Sequence, residues 1–321
     1  MALSTQLHVV TGKGGTGKTT VAAALAMALA DEGKKVLLCE VEGRQGIAQL
    51  FDVPPLPYEE RKIAVGLGGG SVYALAIDPE SALLEYLAMY YRLGRAGKAL
   101  DRFGIIDFAT TIAPGVRDVL LTGKVYEAAR RREGRDFTYD AVVMDAPPTG
   151  RITRFLNVNS EVAGLAKVGP IRRQADSIME MMRSSDTRVH LVTVLEEMPV
   201  QETIDGIAEL KGADLPVGHV ILNLVRPPLI TAATRSALEG GSVSADAVGA
   251  SLTKTGLDAA AATDLITGGI AHVQRQELQE SQRELLVDCG QPLIELPSLP
   301  DGIDLGALFE LAETLKSEGV A

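Results

Sequence analysis

Short apolar runs alternate along this chain with longer stretches whose apolar residues recur at helical spacing. The short runs predict strands at 7–11, 35–41, 72–77, 139–145, 189–195, 219–224 and 292–296, with helices between them. Strand and helix in alternation give an α/β fold, a mostly parallel sheet covered by helices on both faces. Between the third and fourth strands the chain runs about sixty residues, too far for one crossover, and its Leu, Tyr and Ala spacing predicts several helices. Residues 79–135 and 153–187 are therefore expected to build a small helical lobe above the sheet. The stretch 231–269 is crowded with Ala, Gly, Ser and Thr, which predicts a weakly helical or mobile insertion. No internal repeat breaks this order, so residues 1–321 are read as one domain with a lobe.

Composition narrows the function. Aromatic residues make up 4% of the chain and tryptophan is absent, so the core has to be built from Val, Ile, Leu, Ala and Met. The net charge of −11 repels nucleic-acid backbones and anionic membranes, and no nucleic-acid partner is expected. The two cysteines, Cys39 and Cys289, form no CxxC pair, which fits a reducing cytoplasm. The longest apolar run, 21–30, is too short for roughly 30 Å of hydrocarbon, so direct membrane insertion is not expected.

The chemistry starts after the first strand. Gly12-Lys13-Gly14-Gly15-Thr16-Gly17-Lys18-Thr19-Thr20 satisfies G-x4-G-K-[ST] and leads straight into an Ala-rich helix. Glycines at Gly14, Gly15 and Gly17, with Thr16, let the backbone curl so that its N–H groups point at phosphate oxygens, and the helix N-terminus adds positive dipole. Lys18 then reaches the β and γ phosphates, and Thr19 offers its hydroxyl to Mg²⁺, with Thr20 beside it. The same residues spell the dinucleotide pattern Gly12-x-Gly14-x-x-Gly17, with Glu40 near the place of a ribose-binding acid. Only a triphosphate explains the Lys18-Thr19 pair at the helix start. The fourth strand closes on Asp145, at the carboxyl edge where ligands bind in open α/β sheets, placed to support a Mg²⁺ ion through water.

The loop GKGGTGKTT resembles the deviant Walker A class of P-loop ATPases, which includes arsenical pump-driving, tail-anchored protein targeting, septum-site and partition ATPases and the nitrogenase iron protein. The segment Ala146-Pro147-Pro148-Thr149-Gly150-Arg151-Ile152-Thr153-Arg154-Phe155-Leu156 is similar to the second switch of the arsenical pump-driving and tail-anchored targeting branch. The likeness continues at 72–87, Ala113-Pro114-Gly115, 192–210, Val220-Ile221-Leu222-Asn223 and Leu296-Pro297-Ser298-Leu299-Pro300, and so spans nearly the whole chain. It implies ATP and Mg²⁺ as cofactors and a dimer in which Lys13 crosses to the partner's nucleotide. It also implies that Asn223 reads adenine, that Pro297 to Asp301, with Pro300, pack beside the base, and that Met198, Pro199, Glu202 and Thr203 lie near the dimer face. Taken alone, Asn223 also reads as a residue closing a strand, and Pro199 as a helix-starting proline.

The departures from that family matter as much. Its first switch has Asp-Pro where this chain has Glu42-Gly43. The water-positioning carboxylate survives one methylene longer, and a misplacement near 1 Å costs about a hundredfold in rate. Two readings follow: Glu42 orients water for slow hydrolysis, or the chain binds ATP with little turnover beside a paralogous ATPase, so that homodimer and heterodimer both stay open. Two remote cysteines cannot make the clustered thiolates that arsenite needs, nor a CxxC zinc clamp, nor the ligands of an iron–sulfur cluster. The histidines His8, His190, His219 and His272 lack metal-ligand spacing and read as packed or surface residues.

The resemblance implies a hydrophobic protein client or a membrane-protein partner, for which Ile178-Met179-Glu180-Met181-Met182 suggests a flexible groove, while methionines at this spacing more usually fill a core. Arg130, Arg131, Arg132 and Arg135 read as a solvated helix end. A basic tail of the septum or partition kind is not expected, since 308–321 holds one cation, Lys316. Lys18→Ala is expected to abolish tight ATP binding in a titration with fluorescent nucleotide; unchanged affinity would refute the phosphate-loop assignment.

Overall fold

The computed structural model describes residues 6–91, 114–157, 170–300 and 302–320. In chain order its elements are β1 (Gln6–Gly12), α1 (Lys18–Asp31), β2 (Lys35–Glu40), α2 (Gly46–Leu50), β3 (Arg61–Val65), β4 (Ser71–Ala76), α3 (Pro79–Tyr91), α4 (Pro114–Arg130), β5 (Arg132–Glu133) and β6 (Asp136–Phe137). They continue with β7 (Ala141–Asp145), α5 (Thr149–Leu156), α6 (Pro170–Met182), β8 (Thr187–Thr193), α7 (Glu197–Gly212) and β9 (Val217–Val225). The last are α8 (Ala232–Glu239), α9 (Ala245–Lys254), a 3₁₀ turn at Ala259–Ala261, α10 (Ala262–Val287), β10 (Leu293–Pro297) and α11 (Leu305–Ser317). Residues 92–113 and 158–169, parts of the two expected lobe segments, lie outside the described residues, as does Asp301.

Eight strands form one sheet in the order β10-β9-β8-β1-β7-β2-β4-β3, while β5 and β6 pair as a small ribbon. Every pairing in the large sheet is parallel except β3 with β4. The seven predicted strands are all present; β3 is the addition to the large sheet, and the β5–β6 ribbon is new beside it. Its sequence Arg61-Lys62-Ile63-Ala64-Val65 opens on two exposed charges and is half-buried at best, which suits an edge strand and hides it from a search for apolar runs.

Side-chain alternation divides the core in two. Leu7, Val9, Val142 and Met144 face one side of the sheet with Leu121 and Val125 of α4, Phe155 of α5 and Ile207 of α7. Val10, Ala141 and Val143 face the other side, with α1 and with Leu308, Leu311 and Leu315 of α11. Caught between sheet and α11, α1 is buried from Val21 to Asp31, as a helix apolar on all sides must be. On α6, Ile178, Met179 and Met182 are buried in the first core. The small-residue stretch folds as helices because its polar residues cap them: Thr231, Ser244 and Asp258 accept the N–H groups of Thr234, Ala247 and Ala260. Among the described residues, no helix is long and apolar enough to cross a membrane.

The basic run near α4 is not uniformly solvated. Arg131 bridges Glu127 and Glu60, both at 2.8 Å or less, Tyr139 donates its hydroxyl to Glu60 at 2.6 Å, and Lys124 pairs with Glu85 at 2.8 Å. Arg132 lies over the Phe137 ring. This network fastens the segment before β3 to α3 and α4.

Three of the four histidines, scattered in sequence, come together on β1, β8 and β9. His190 stacks between His8 and His219, with ring centroids 5.4 and 5.5 Å away. The His219 backbone N–H donates to His190 Nδ1 at 3.2 Å, so the neutral His190 ring carries its proton on Nε2 and donates to His8 Nδ1 at 3.1 Å. Burial, then the Lys34 and Arg188 charges, lower the His8 pKa to about 4, and burial lowers His190 well below its ordinary value and His219 to a lesser depth. Between about pH 6.5 and 4 the unfolded chain binds protons that the folded chain refuses, so this stabilisation is complete above pH 6.5 and lost as pH falls. The urea midpoint is expected to drop from pH 7 to pH 5, and His8→Met to flatten that drop; equal slopes in the two proteins would remove the stack from the acid response.

Candidate nucleotide site

The residues singled out from the sequence gather at the carboxyl edge of the sheet, where β1, β2, β7, β9 and β10 all end. Helix α1 begins there without a side-chain cap and without an acid in its first turn. Its first N–H groups and its dipole are therefore open to an anion. Gly17 sits at the N-cap position with φ 86°, and a Cβ there would lie 2.3 Å from Asn223 Nδ2, so conformation and space both demand glycine. Gly15 is also left-handed, at φ 88°, and Gly14 and Gly15 are exposed.

The loop is braced from within. Thr16 donates its hydroxyl to the Lys13 carbonyl at 2.9 Å, and Asn223 donates its amide to the Thr16 carbonyl at 2.9 Å. Asn223, buried near the end of β9, thus touches the loop directly. The next residue, Leu224, holds a left-handed φ of 57°, a strained conformation for a side chain of its size. Pro297 ends β10 in register with Val225, whose carbonyl accepts from the Ser298 N–H at 2.9 Å. Pro300 is exposed beyond it.

Lys18 is buried, and its ammonium reaches the Lys13 carbonyl at 3.5 Å. Burial lowers its pKa, while Asp145 and Glu42 oppose that shift, so both carboxylates lie within electrostatic reach of the lysine. Thr19 donates its hydroxyl to Asp145 Oδ2 at 2.6 Å, and Thr20 is half-buried in the same turn. Burial pushes the Asp145 pKa up to about 6; the Thr19 hydrogen bond and Lys18 pull against this, and the Glu40 and Glu42 charges add to it. A hydroxyl and a carboxylate in this crowded acidic setting are hard oxygen donors, a set that fits Mg²⁺.

Glu40 is spent elsewhere than on a ribose. Its buried carboxylate accepts the backbone N–H groups of Gln45 and Ile47, closing the 41–46 loop on itself. The Gln45 side chain clasps Leu56, accepting its N–H at 2.7 Å and donating to its carbonyl at 3.1 Å. Within this loop Glu42 is mostly covered and lies 3.6 Å from Arg44. The segment after β7 is tied to β1, with the Ala146 N–H on the Val10 carbonyl at 2.9 Å and the Thr11 hydroxyl on the Pro147 carbonyl at 2.7 Å. Lys13 points away from all of this and pairs with Glu202 of α7 at 2.6 Å. Pro199 stands at the third position of α7 and not at its start.

The sequence places Glu40 at a ribose and Glu202 near the dimer face, and it assigns no role to Arg44 or Gln45; the contacts these four make here are a finding of the structure. For Glu40 the available signal is a charged residue closing an apolar strand; for the contact of Glu202 with Lys13 there is none, because 189 positions separate the two.

Comparison with known proteins agrees with this geometry. Residues 5–188 match the model of the anion-transporting ATPase family. ATPase BagA of Mycobacterium tuberculosis is 52% identical over 318 residues, covering 98% of this chain and 94% of that protein. ATPase GET3 of Kluyveromyces lactis is 26% identical over 249 residues, 67% of this chain and 70% of its own. The arsenical pump-driving ATPase of Acidiphilium multivorum is 27% identical over 238 residues, 68% of this chain and 39% of the relative. A capless buried helix behind a glycine loop, a Thr19–Asp145 pair and this extent of similarity agree: the chain belongs to the anion-transporting ATPase family and is a nucleotide-binding ATPase of α/β P-loop fold.

Proposed function

We propose that this chain is a Mg²⁺-ATP-dependent dimeric switch that couples ATP binding and slow hydrolysis to the binding of a protein client. The observation that carries the reading is the Thr19–Asp145 hydrogen bond at the head of α1, beside the buried Lys18. The backbone of Gly14, Gly15, Thr16 and Gly17 grips the phosphates, with Lys18, Thr19 and Thr20. Thr19 and Asp145 are the groups that would hold Mg²⁺, which when bound neutralises phosphate charge. Lys18 adds a fixed positive charge where negative charge develops, and Glu42 orients the attacking water, with no covalent enzyme intermediate. Asn223 reads the adenine, next to Pro297 and Pro300. Lys13 serves a partner's nucleotide, which makes the working unit a dimer, and the second switch carries the nucleotide state to the helices above it.

The name of one of these relatives points to an arsenical pump, but the thiols here do not support arsenite capture. Burial pushes the Cys39 thiol far above its ordinary pKa, and Cys289 stands apart as a free cysteine. We therefore favour a hydrophobic protein or membrane-protein client, with no nucleic acid, and a cytoplasmic setting in keeping with the charge of −11 and two unpaired cysteines.

A second reading, an ATP-holding subunit that leaves hydrolysis to a paralogue in a heterodimer, is favoured by one contact. Arg44 lies 3.6 Å from the Glu42 carboxylate and competes with a water for it. ATP turnover by the purified chain with Mg²⁺, with Lys18→Ala as control, decides between them. The first reading expects slow turnover, absent in the control and reduced about tenfold to a hundredfold by Glu42→Gln with ATP affinity unchanged. ATP retained without turnover establishes the second.

A further inference from the structure

Lys13 belongs to the phosphate loop by its backbone and to α7 by its side chain. Its carbonyl faces inward, accepting from Thr16 and lying within reach of Lys18, whereas its ammonium is 2.6 Å from Glu202 Oε1. We propose that Glu202 is a positioning residue that holds Lys13 in cis, so that releasing this pair is a required step before Lys13 reaches a second chain. The proposal rests on the reading of Lys13 as a lysine that serves a partner's nucleotide. While its ammonium stays 2.6 Å from Glu202, the Lys13 side chain is directed along its own chain and not toward another molecule.

The geometry suits a hold that is meant to be broken. The two side chains are 30% and 36% exposed, a setting in which an ion pair is weak and screened by salt. A triphosphate in the adjoining loop, with several negative charges, competes directly with one half-exposed carboxylate. The holder is also placed to follow the second switch. Glu202 and Gly206 stand four residues apart on α7 and share a face. At Gly206 the helix approaches Thr149, the first residue of α5, so closely that a Cβ would meet Thr149 Cγ2 at 2.3 Å. Thr149 is buried with its hydroxyl unpartnered among the described residues, so this contact joins packed groups with no polar tie to keep them in place. Movement of α5 therefore presses on the helix that carries Glu202.

The test is ATP turnover as a function of protein concentration, with sedimentation in Mg²⁺ and ATP, for the wild type, Glu202→Gln, Lys13→Ala and the double variant. Freeing Lys13 is expected to lower the concentration at half-maximal turnover by roughly two- to fivefold for each pair released. The dimer should appear at correspondingly lower concentration, and the shift should vanish when Lys13→Ala is added. A general structural effect of Glu202→Gln would not depend on Lys13. If Lys13→Ala impairs turnover while Glu202→Gln leaves the concentration dependence unchanged or weakens pairing, the hold in cis is refuted and the reading of Lys13 stands. If Lys13→Ala changes nothing, or no ATP-dependent dimer forms, that reading fails and the proposal fails with it.

Discussion

The structure turns on a helix that has no room for its own cap. Helix α1 lies between the sheet and α11 and is buried along nearly its whole length, so it must be made of small apolar residues. Its N-terminus opens through a left-handed glycine pressed against Asn223, where no side chain is available to accept the first N–H groups. Those donors require an acceptor from outside the chain. The core packing that stabilises the fold and the anion site that defines its chemistry are two ends of one helix, and the strands that bury α1 also bring Asp145 and Asn223 to its head.

What surrounds that helix is organised by loops that close on their own backbone. The segment after β2 is fixed by Glu40 on two backbone amides and by Gln45 on Leu56. The segment after β7 is fixed by two hydrogen bonds to β1. Both begin from rigid strand ends, and their far ends pack on helices, the first through the Arg131 network and the second through α7. A small displacement at the phosphate loop thus has two physical routes into the helical layer.

The fold was legible because seven of its strands are short apolar runs and the phosphate loop has a spacing that few other chemistries need. Less legible was whatever depends on pairing between distant strands or on polar residues with several possible partners. The edge strand β3 is too polar for a search by apolar runs. The helices of 232–254 rest on the caps Thr231 and Ser244 more than on an apolar stripe. The histidines carry no spacing signal, because strand order and not sequence order puts them side by side. Glu40 was visible as an acid at a strand end, yet only the path of the following loop shows that backbone amides consume both its oxygens.

The edge strands have a further consequence. At one margin of the sheet β3 presents Arg61 and Lys62 to solvent. At the other, β10 ends in Pro297, and its exposed Glu295 is gripped by Arg283 of α10 with two hydrogen bonds. Charge at one margin, and a proline with a clamped carboxylate at the other, discourage a foreign strand from adding on. Runaway polymerisation through the backbone is thereby resisted in a protein whose sheet would otherwise be an open-ended template, and neighbours must be recognised through side chains.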